Sequence, residues 1–294
     1  MCLAVMAVDA DRRFPLVVAS NRDEFFDRPA APLDWWQRAA DEAPILSGRD
    51  LVSGGTWLGL STRGRLALLT NVRGAGPVDA DAPSRGDIVP AWLAAREPAD
   101  RFWMRCALAG HSGFNLLAAD FSSGDCFWSS NQGTHPRRLA KGVYGLSNAS
   151  LDTPWPKVQA LKARLCTALA GTALAGTDSA ESADALAQHL FDALADRTLA
   201  PDAALPQTGV PLDWERRLSA AFIASPEHGY GTRCSTLVIT ERSASGPVTH
   251  LWERSFDAAG SVLATRHSRL RAWPPAQGHA DIDVQRRDAQ VTAC

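Results

Sequence analysis

The stretches Cys2-Leu-Ala-Val-Met-Ala-Val8 and Leu16-Val-Val-Ala-Ser-Asn-Arg-Asp-Glu24 decide the fold of this chain. Two short apolar runs flank the charged segment Asp9-Ala-Asp-Arg-Arg13, a pattern that predicts two buried strands joined by a polar turn. In a hairpin, the end of the second strand lies beside the start of the first. The four polar side chains of residues 21–24 are therefore expected close to the thiol of Cys2.

The position of Cys2 gives this juxtaposition a chemical interpretation. Cysteine is small enough for Met1 to be removed, and removal would leave Cys2 with a free thiol and a free α-amine. A terminal amine has a pKa of roughly 7.7–8, so one residue would supply both nucleophile and base. In this interpretation Asp23 or Glu24 orients the amine, and the cation of Arg22 favours the thiolate. The alternative is purely structural: Cys2 is a small buried residue that begins an edge strand.

The composition of the chain limits the classes of function. With 294 residues, a net charge of −2, 46% apolar and 21% charged residues, it is typical of a soluble globular protein without nucleic-acid or anionic-membrane binding. No apolar run approaches the roughly 20 residues of a membrane span. The six cysteines form no CxxC pair and no histidines have metal-ligand spacing, so neither metal nor cofactor is expected, and a reducing cytoplasm fits best.

Polar residues follow several of the predicted strands further along the chain. Asn71 closes the second strand of a hairpin predicted at residues 57–61 and 65–70, and Asn148 closes a strand at 143–147. Arg233 comes just before a strand at 236–240. A helix is predicted to begin at the cap Asp152-Thr-Pro, and the repeated peptide at 168–177 is interpreted as a linker.

The order of the elements predicts the architecture. Many strands precede two central helices, and more strands follow, an order that two packed sheets with helices outside would satisfy. The chain is expected to form one domain over residues 1–273, followed by a polar tail at 274–294.

Several motifs together resemble the NRDE family, also called the transport and Golgi organisation 2 family. They are Asn21-Arg-Asp-Glu24 with Arg28-Pro29, Gly48-Arg-Asp50, Gly54-Gly-Thr-Trp-Leu-Gly59, Thr70-Asn-Val-Arg73 and Ser84-Arg-Gly86. Members of this family have been linked to secretory organisation, lipid metabolism and haem handling. Within these motifs Asn21, Arg22, Glu24 and Trp57 are candidates for substrate-binding or supporting residues.

The chain is also similar to cysteine N-terminal-nucleophile hydrolases of the bile-salt hydrolase and penicillin V acylase type. The resemblance implies an α+β, four-layer αββα sandwich. It implies that Cys2 is the nucleophile, that Asp23 holds the terminal amine, and that Arg233 lies beside the thiol. It also implies that Asn71 and Asn148 supply oxyanion-hole donors. One departure is Ser20, where those enzymes have an arginine, and Arg22 is expected to take its place.

Two functional hypotheses follow from the motifs. The first is a hydrolase that cleaves an amide or acyl thioester bond of a small molecule, with Cys2 as nucleophile. The second is a non-enzymatic carrier of haem or an acyl lipid on the same scaffold. A third possibility is an interaction protein whose N-terminal motif is purely structural, which predicts that Cys2 is deeply buried and that Met1 stays attached.

Overall fold

The structure is a computed structural model that describes residues 2–74, 81–133, 135–174, 183–244 and 246–275; of residues 172–174 only the backbone is described. The strands are, in chain order, β1 (Cys2–Val8), β2 (Leu16–Phe25), β3 (Ala30–Trp36), β4 (Ile45–Asp50), β5 (Leu58–Ser61), β6 (Arg65–Asn71), β7 (Phe114–Asp120), β8 (Asp125–Ser130), β9 (Arg137–Arg138), β10 (Gly142–Leu146), β11 (Ala224–Ser225), β12 (Tyr230–Ser243), β13 (Gly246–Phe256) and β14 (Val262–Arg271). The α-helices are α1 (Ile88–Ala94), α2 (Ala99–Ala107), α3 (Pro156–Leu174), α4 (Ala183–Leu194) and α5 (Leu212–Arg217).

The described strands form two antiparallel sheets of seven strands each. Sheet one has the order β10-β1-β2-β12-β13-β14, with β11 paired to β12, and sheet two has the order β3-β4-β5-β6-β7-β8-β9. Both strands that flank the β1–β2 hairpin in sheet one come from much later in the chain. The hairpin is therefore held in the interior of a sheet.

Three apolar clusters define four layers. One cluster fills the space between the sheets and includes Met6, Val18 and Leu66. The second lies between sheet one and the helices α3 and α4, and the third between sheet two and the helices α1 and α2. The predicted αββα sandwich is confirmed, since each sheet buries one face on the other sheet and one on helices.

The strand β2 alternates between these two environments, as the two-residue period of a strand requires. Val18 belongs to the cluster between the sheets, whereas Val17 and Ala19 face the helices. Continuing the alternation puts Arg22 on the face between the sheets and Asp23 on the helix face. Two adjacent residues therefore serve opposite sides of the same strand.

Four predicted boundaries differ from the structure. The polar residues 21–24 do not follow β2 but belong to it, because their backbone pairs with β1 and β12. Arg233 lies within β12, at a bulge between Thr232 and Cys234. Asp152 does not cap α3: it has a positive φ of 59°, and its carboxylate accepts hydrogen bonds from Gly145 N and Lys162 Nζ. The first part of the predicted linker, up to Leu174, is helical, and the remainder lies outside the described residues.

The end of the described chain packs against the two sheets. The indole of Trp273 is buried and donates to the carbonyl of Ser61 at 2.9 Å, and Pro275 lies against Gly64. The rest of the predicted polar tail lies outside the described residues. The single-domain boundary at residue 273 stays a prediction.

Candidate active site

Cys2 lies in a polar cavity at the end of sheet one. In the β1–β2 pairing Cys2 is directly opposite Arg22, as the hairpin prediction required. The cavity has a volume of about 280 Å³. Its lining residues are mostly polar or charged: Cys2, Arg22, Asp23, Glu24, Arg28, Asp50, Ser53, Thr56, Trp57, Leu69, Asn71, Ala82, Pro83, Ser84, Arg85, Gly86 and Ser112.

Burial controls the protonation of the thiol. Burial raises the pKa of Cys2, and the negative charges of Asp23 and Glu24 raise it further, while the charge of Arg22 lowers it. Burial therefore favours the neutral thiol in this environment. A base close to the sulfur is needed before it can act as a nucleophile.

Arg22 is held rigidly beside Cys2. Its Nη2 donates to Asp50 Oδ2 at 2.6 Å, and its guanidinium stacks over the ring of Trp57 at 4.5 Å. Arg28 also donates to Asp50 Oδ2, at 2.7 Å from its Nε. Burial would raise the pKa of Asp50, but hydrogen bonds from Arg28 and Ser53 and the charge of Arg22 outweigh it and bring the pKa down to about 2. Asp50 is therefore ionised at neutral pH and fixes both arginines.

Asp23 faces a buried charge on the helix side of β2. Its Oδ1 accepts a hydrogen bond of 2.7 Å from Thr232 Oγ1. Burial raises the pKa of Asp23, and the positive charge of Lys157 is the largest effect in the opposite direction. Burial also lowers the pKa of Lys157, to about 8, while the charges of Asp23 and Cys2 raise it. Lys157 thus belongs to the electrostatic environment of the site.

The two asparagines have different roles. Asn71 lines the cavity, and its side-chain amide makes no hydrogen bond within the described part of the chain. The amide of Asn148 is fully buried, does not line the cavity, and donates from Nδ2 to the carbonyl of Asn71 at 2.8 Å. Ser147 connects this pair to Cys2, because its Oγ donates to the carbonyl of Cys2 at 2.9 Å. Asn71 therefore lines the cavity, whereas the amide of Asn148 is bonded to the Asn71 carbonyl; that either one supplies an oxyanion-hole donor stays a prediction.

Arg233 is not at the thiol. Its Nη1 donates to the backbone carbonyls of Phe25, Phe26 and Arg28 at 2.7, 3.2 and 3.0 Å. It does not line the cavity. The expectation that Arg233 lies beside the sulfur is corrected: it holds the chain that leaves β2, and Arg22 is the cation next to Cys2.

Asn21 makes supporting contacts and does not line the cavity. It lies on the helix face of β2, where its Nδ2 donates to the carbonyls of Leu194 and Ala221 at 2.9 and 2.8 Å. Its Oδ1 accepts from Ser235 Oγ at 2.6 Å. Asn21 therefore joins sheet one to α4. Glu24 and Trp57, in contrast, line the cavity as expected.

The wall opposite sheet one is built by two touching backbone segments. A Cβ on Gly55 would lie 1.9 Å from the carbonyl oxygen of Gly86, so only glycine permits this approach. Thr56 N donates to that same carbonyl at 3.3 Å, and Ser84 Oγ accepts from Gly86 N at 3.1 Å. Arg85, between Ser84 and Gly86, is carried on this wall.

Sequence reasoning assigned no role to Arg28, Asp50, Arg85 or Lys157. Three of these stand in the motifs Arg28-Pro29, Gly48-Arg-Asp50 and Ser84-Arg-Gly86, so a signal was present. For Lys157 the signal was its helical spacing: it lies four residues before Leu161 and eight before Leu165, both buried, so it falls on the apolar stripe of α3.

Within the described ranges, no group of three or more His, Cys, Asp or Glu side chains is arranged to hold a metal ion. The helices of those ranges include none that combines the length and apolarity needed to cross a membrane.

The family model described as Transport and Golgi organisation 2 matches residues 1–258. The chain belongs to this family. The Transport and Golgi organization protein 2 homolog of Bos taurus is 34% identical over 281 residues, covering 86% of this chain and 96% of the bovine protein. The homologue of Homo sapiens is 34% identical over 280 residues, covering 90% of this chain and 97% of the human protein.

Among solved structures, the chain is similar to a variant of the conjugated bile acid hydrolase from Clostridium perfringens. The TM-score is 0.48 and the sequence identity 7%, over 99% of each chain. At this identity and TM-score the similarity assigns no function to this Transport and Golgi organisation 2 family member.

Proposed function

We propose that this chain is a hydrolase that cleaves a C–N amide bond, or an acyl thioester, of a small molecule, with Cys2 as an N-terminal nucleophile after removal of Met1. The observation that carries the proposal is the position of Cys2. Its side chain forms part of a polar cavity of about 280 Å³, opposite Arg22 and together with Asp23 and Asn71.

The reaction proceeds in two balanced steps. The α-amine of Cys2 takes the thiol proton as Sγ attacks the acyl carbon, the C–N bond breaks, and the proton passes to the leaving amine. Water then attacks the acyl thioester, the C–S bond breaks, and the proton of the water returns to the sulfur through the same amine. The products are a carboxylic acid and an amine.

The surrounding residues support these steps. Asp23 is the carboxylate that holds the amine, and Thr232 and Lys157 favour its ionised form. The side-chain amide of Asn71 is a donor for the oxyanion, a contribution that typically lowers the barrier by roughly 3–4 kcal/mol. Arg22 assists formation of the thiolate, because its charge lowers the thiol pKa.

The lining of the cavity favours an enzyme over a carrier. A site for haem or an acyl chain is expected to be largely apolar. The cavity here contains three arginines and three carboxylates but few apolar side chains. The purely structural hypothesis predicts a buried Cys2, and Cys2 is indeed only 9% exposed, so burial alone does not separate it from the hydrolase; the support for the hydrolase is that Cys2 also lines this polar cavity.

The test is covalent labelling with a β-lactone, which acylates a reactive nucleophile by ring opening. The intact mass of the purified protein should lack Met1, and incubation should add one lactone to Cys2. The variant Cys2→Ala should remain unlabelled. The matched control is Cys166→Ala, which removes a cysteine exposed on α3 and should label like the wild type. Retention of Met1, or an adduct found on Cys166 alone, would contradict the proposal.

A further inference from the structure

The three arginines of the cavity differ in whether they form an ion pair with a carboxylate. Arg22 and Arg28 share the carboxylate of Asp50 at 2.6 and 2.7 Å, and Glu24 lies 4.0 Å from each of them. Arg85 is the third arginine of the cavity, and it forms no ion pair with any carboxylate in the described part of the chain. The cavity therefore contains one arginine that makes no ion pair with a described residue.

The guanidinium of Arg85 has N–H groups that make no hydrogen bond to a described residue. Nη1 donates to the carbonyl of Gly113 at 3.0 Å, whereas Nε and Nη2 donate to no described residue. Nε and Nη2 form the parallel pair of N–H groups that binds a carboxylate through two hydrogen bonds. Burial lowers the pKa of Arg85, and the charges of Glu24 and Cys2 raise it. A guanidinium remains protonated in proteins, so the site is cationic.

The residues on both sides of Arg85, Ser84 and Gly86, hold its backbone in place. Ser84 caps the turn through its hydroxyl, and Gly86 packs so closely that a Cβ there would lie 2.4 Å from Ser53 Oγ. A preorganised arginine loses little freedom when it binds a ligand, which increases affinity.

We propose that Arg85 binds a carboxylate of the substrate, so that the substrate is a short N-acyl amino acid. The inference rests on the proposed function, which requires the scissile carbonyl at Cys2. Cys2 and Arg85 line one cavity of about 280 Å³, and a short N-acyl amino acid places a carbonyl and a carboxylate within that space. The bidentate contact fixes the acid while Sγ approaches the carbonyl.

The experiment measures binding in the Cys2→Ala variant, where hydrolysis does not interfere. The probes are N-butanoylglycine and its neutral analogue N-butanoylglycinamide, titrated by calorimetry. The acid should bind at least tenfold more tightly than the amide. Arg85→Gln in the same background should bind the acid and the amide equally. Arg85→Lys should keep a smaller preference for the acid, because the positive charge remains but the paired donors are lost. Arg101→Gln, at an exposed arginine of α2, should leave the ratio unchanged.

Each outcome separates this inference from the proposed function. Equal binding of acid and amide, no binding of either, or a ratio that survives Arg85→Gln would overturn the role of Arg85. Tighter binding of monobutyl phosphate than of N-butanoylglycine would overturn the assignment to a carboxylate. A retained ratio with no hydrolysis of N-butanoylglycine by the wild type would leave the carboxylate site intact and count against the hydrolase. Hydrolysis of acid and amide at equal rates would do the reverse.

Discussion

Neighbouring residues of β2 contact different partners, because they lie on opposite faces of the strand. Arg22 and Asp23 are adjacent, yet Arg22 pairs with Asp50 between the sheets and Asp23 bonds to Thr232 on the other face. Ser20 and Arg22 lie on the same face of β2, because they are two residues apart. A cation at position 22 instead of 20 therefore remains on the side of the thiol, and Arg22 is directly opposite it.

Glu253 shows how burial at one residue makes stability depend on pH. It lies between the sheets, where its Oε1 accepts from Leu33 N at 2.7 Å and burial raises its pKa from 4.5 to about 7. The folded state therefore holds a proton that the unfolded state releases, so this contribution to stability is complete below pH 4.5 and is lost as the pH rises through 7.

Glu253→Gln is expected to remove this pH dependence, because the amide keeps the acceptor for Leu33 N and does not ionise. Relative to the variant, the wild type should lose on the order of 3 kcal/mol of unfolding free energy between about pH 5 and pH 8. Urea unfolding at both pH values measures the difference. Parallel pH profiles for the two proteins would mean that Glu253 does not titrate in this range.

At the scale of elements, the sequence predicted contacts between neighbouring segments but not contacts between segments that are far apart in the chain. The β1–β2 hairpin followed from alternation and a polar turn, and its register placed Cys2 beside Arg22 correctly. Arg85 reaches the cavity from the turn before α1, and Lys157 belongs to the first turn of α3. No periodicity within one segment reports which segments meet across the sandwich. Arg233 was expected before its strand, because only the mainly apolar residues 236–240 were recognised as a strand. The strand β12 in fact extends from Tyr230 to Ser243 and includes Arg233.

The contact between Gly55 and Gly86 gives a prediction about the loop wall. Gly55→Ala places a methyl group where the carbonyl of Gly86 lies, so the segment that carries Arg85 must move. The variant should lose about 1–3 kcal/mol of unfolding free energy, measured by urea unfolding, and label more slowly at Cys2.

Gly171→Ala is the matched control for that substitution. A Cβ at Gly171 would meet nothing within 4 Å, and the residue lies in α3. It should gain about 0.5–1 kcal/mol, since alanine is the better helix former. If Gly55→Ala unfolds at the same urea concentration as the wild type, the two backbone segments do not touch as described.

At the scale of the whole molecule, a buried ion pair joins the two halves of the sandwich. Arg73 follows β6 of sheet two, and its Nη1 donates to Glu215 Oε2 of α5 at 2.7 Å. Both side chains are 4% exposed. The Arg73 guanidinium also stacks over Trp155, 4.7 Å from the ring centroid, next to α3. Three separate segments therefore meet around one cation.

Glu215→Gln should destabilise the protein strongly, because it removes the carboxylate that pairs with the buried charge of Arg73. The expected loss is about 3–5 kcal/mol of unfolding free energy, seen as a lower Tm by calorimetry. Asp202→Asn is the control, since it breaks an exposed pair with Arg216 and should hardly change the Tm. Equal effects of both substitutions would show that burial of the Arg73 pair is immaterial.

The pairing of β2 with β12 has a consequence for protein synthesis. During translation the hairpin that bears the thiol emerges long before the strand that covers its open side, Tyr230–Ser243. A premature stop codon upstream of Tyr230 would leave β2 with a free row of backbone donors and acceptors, which recruits strands from other molecules. Nonsense alleles that stop translation shortly before Tyr230 should therefore yield insoluble polypeptide instead of a shortened, partly active protein.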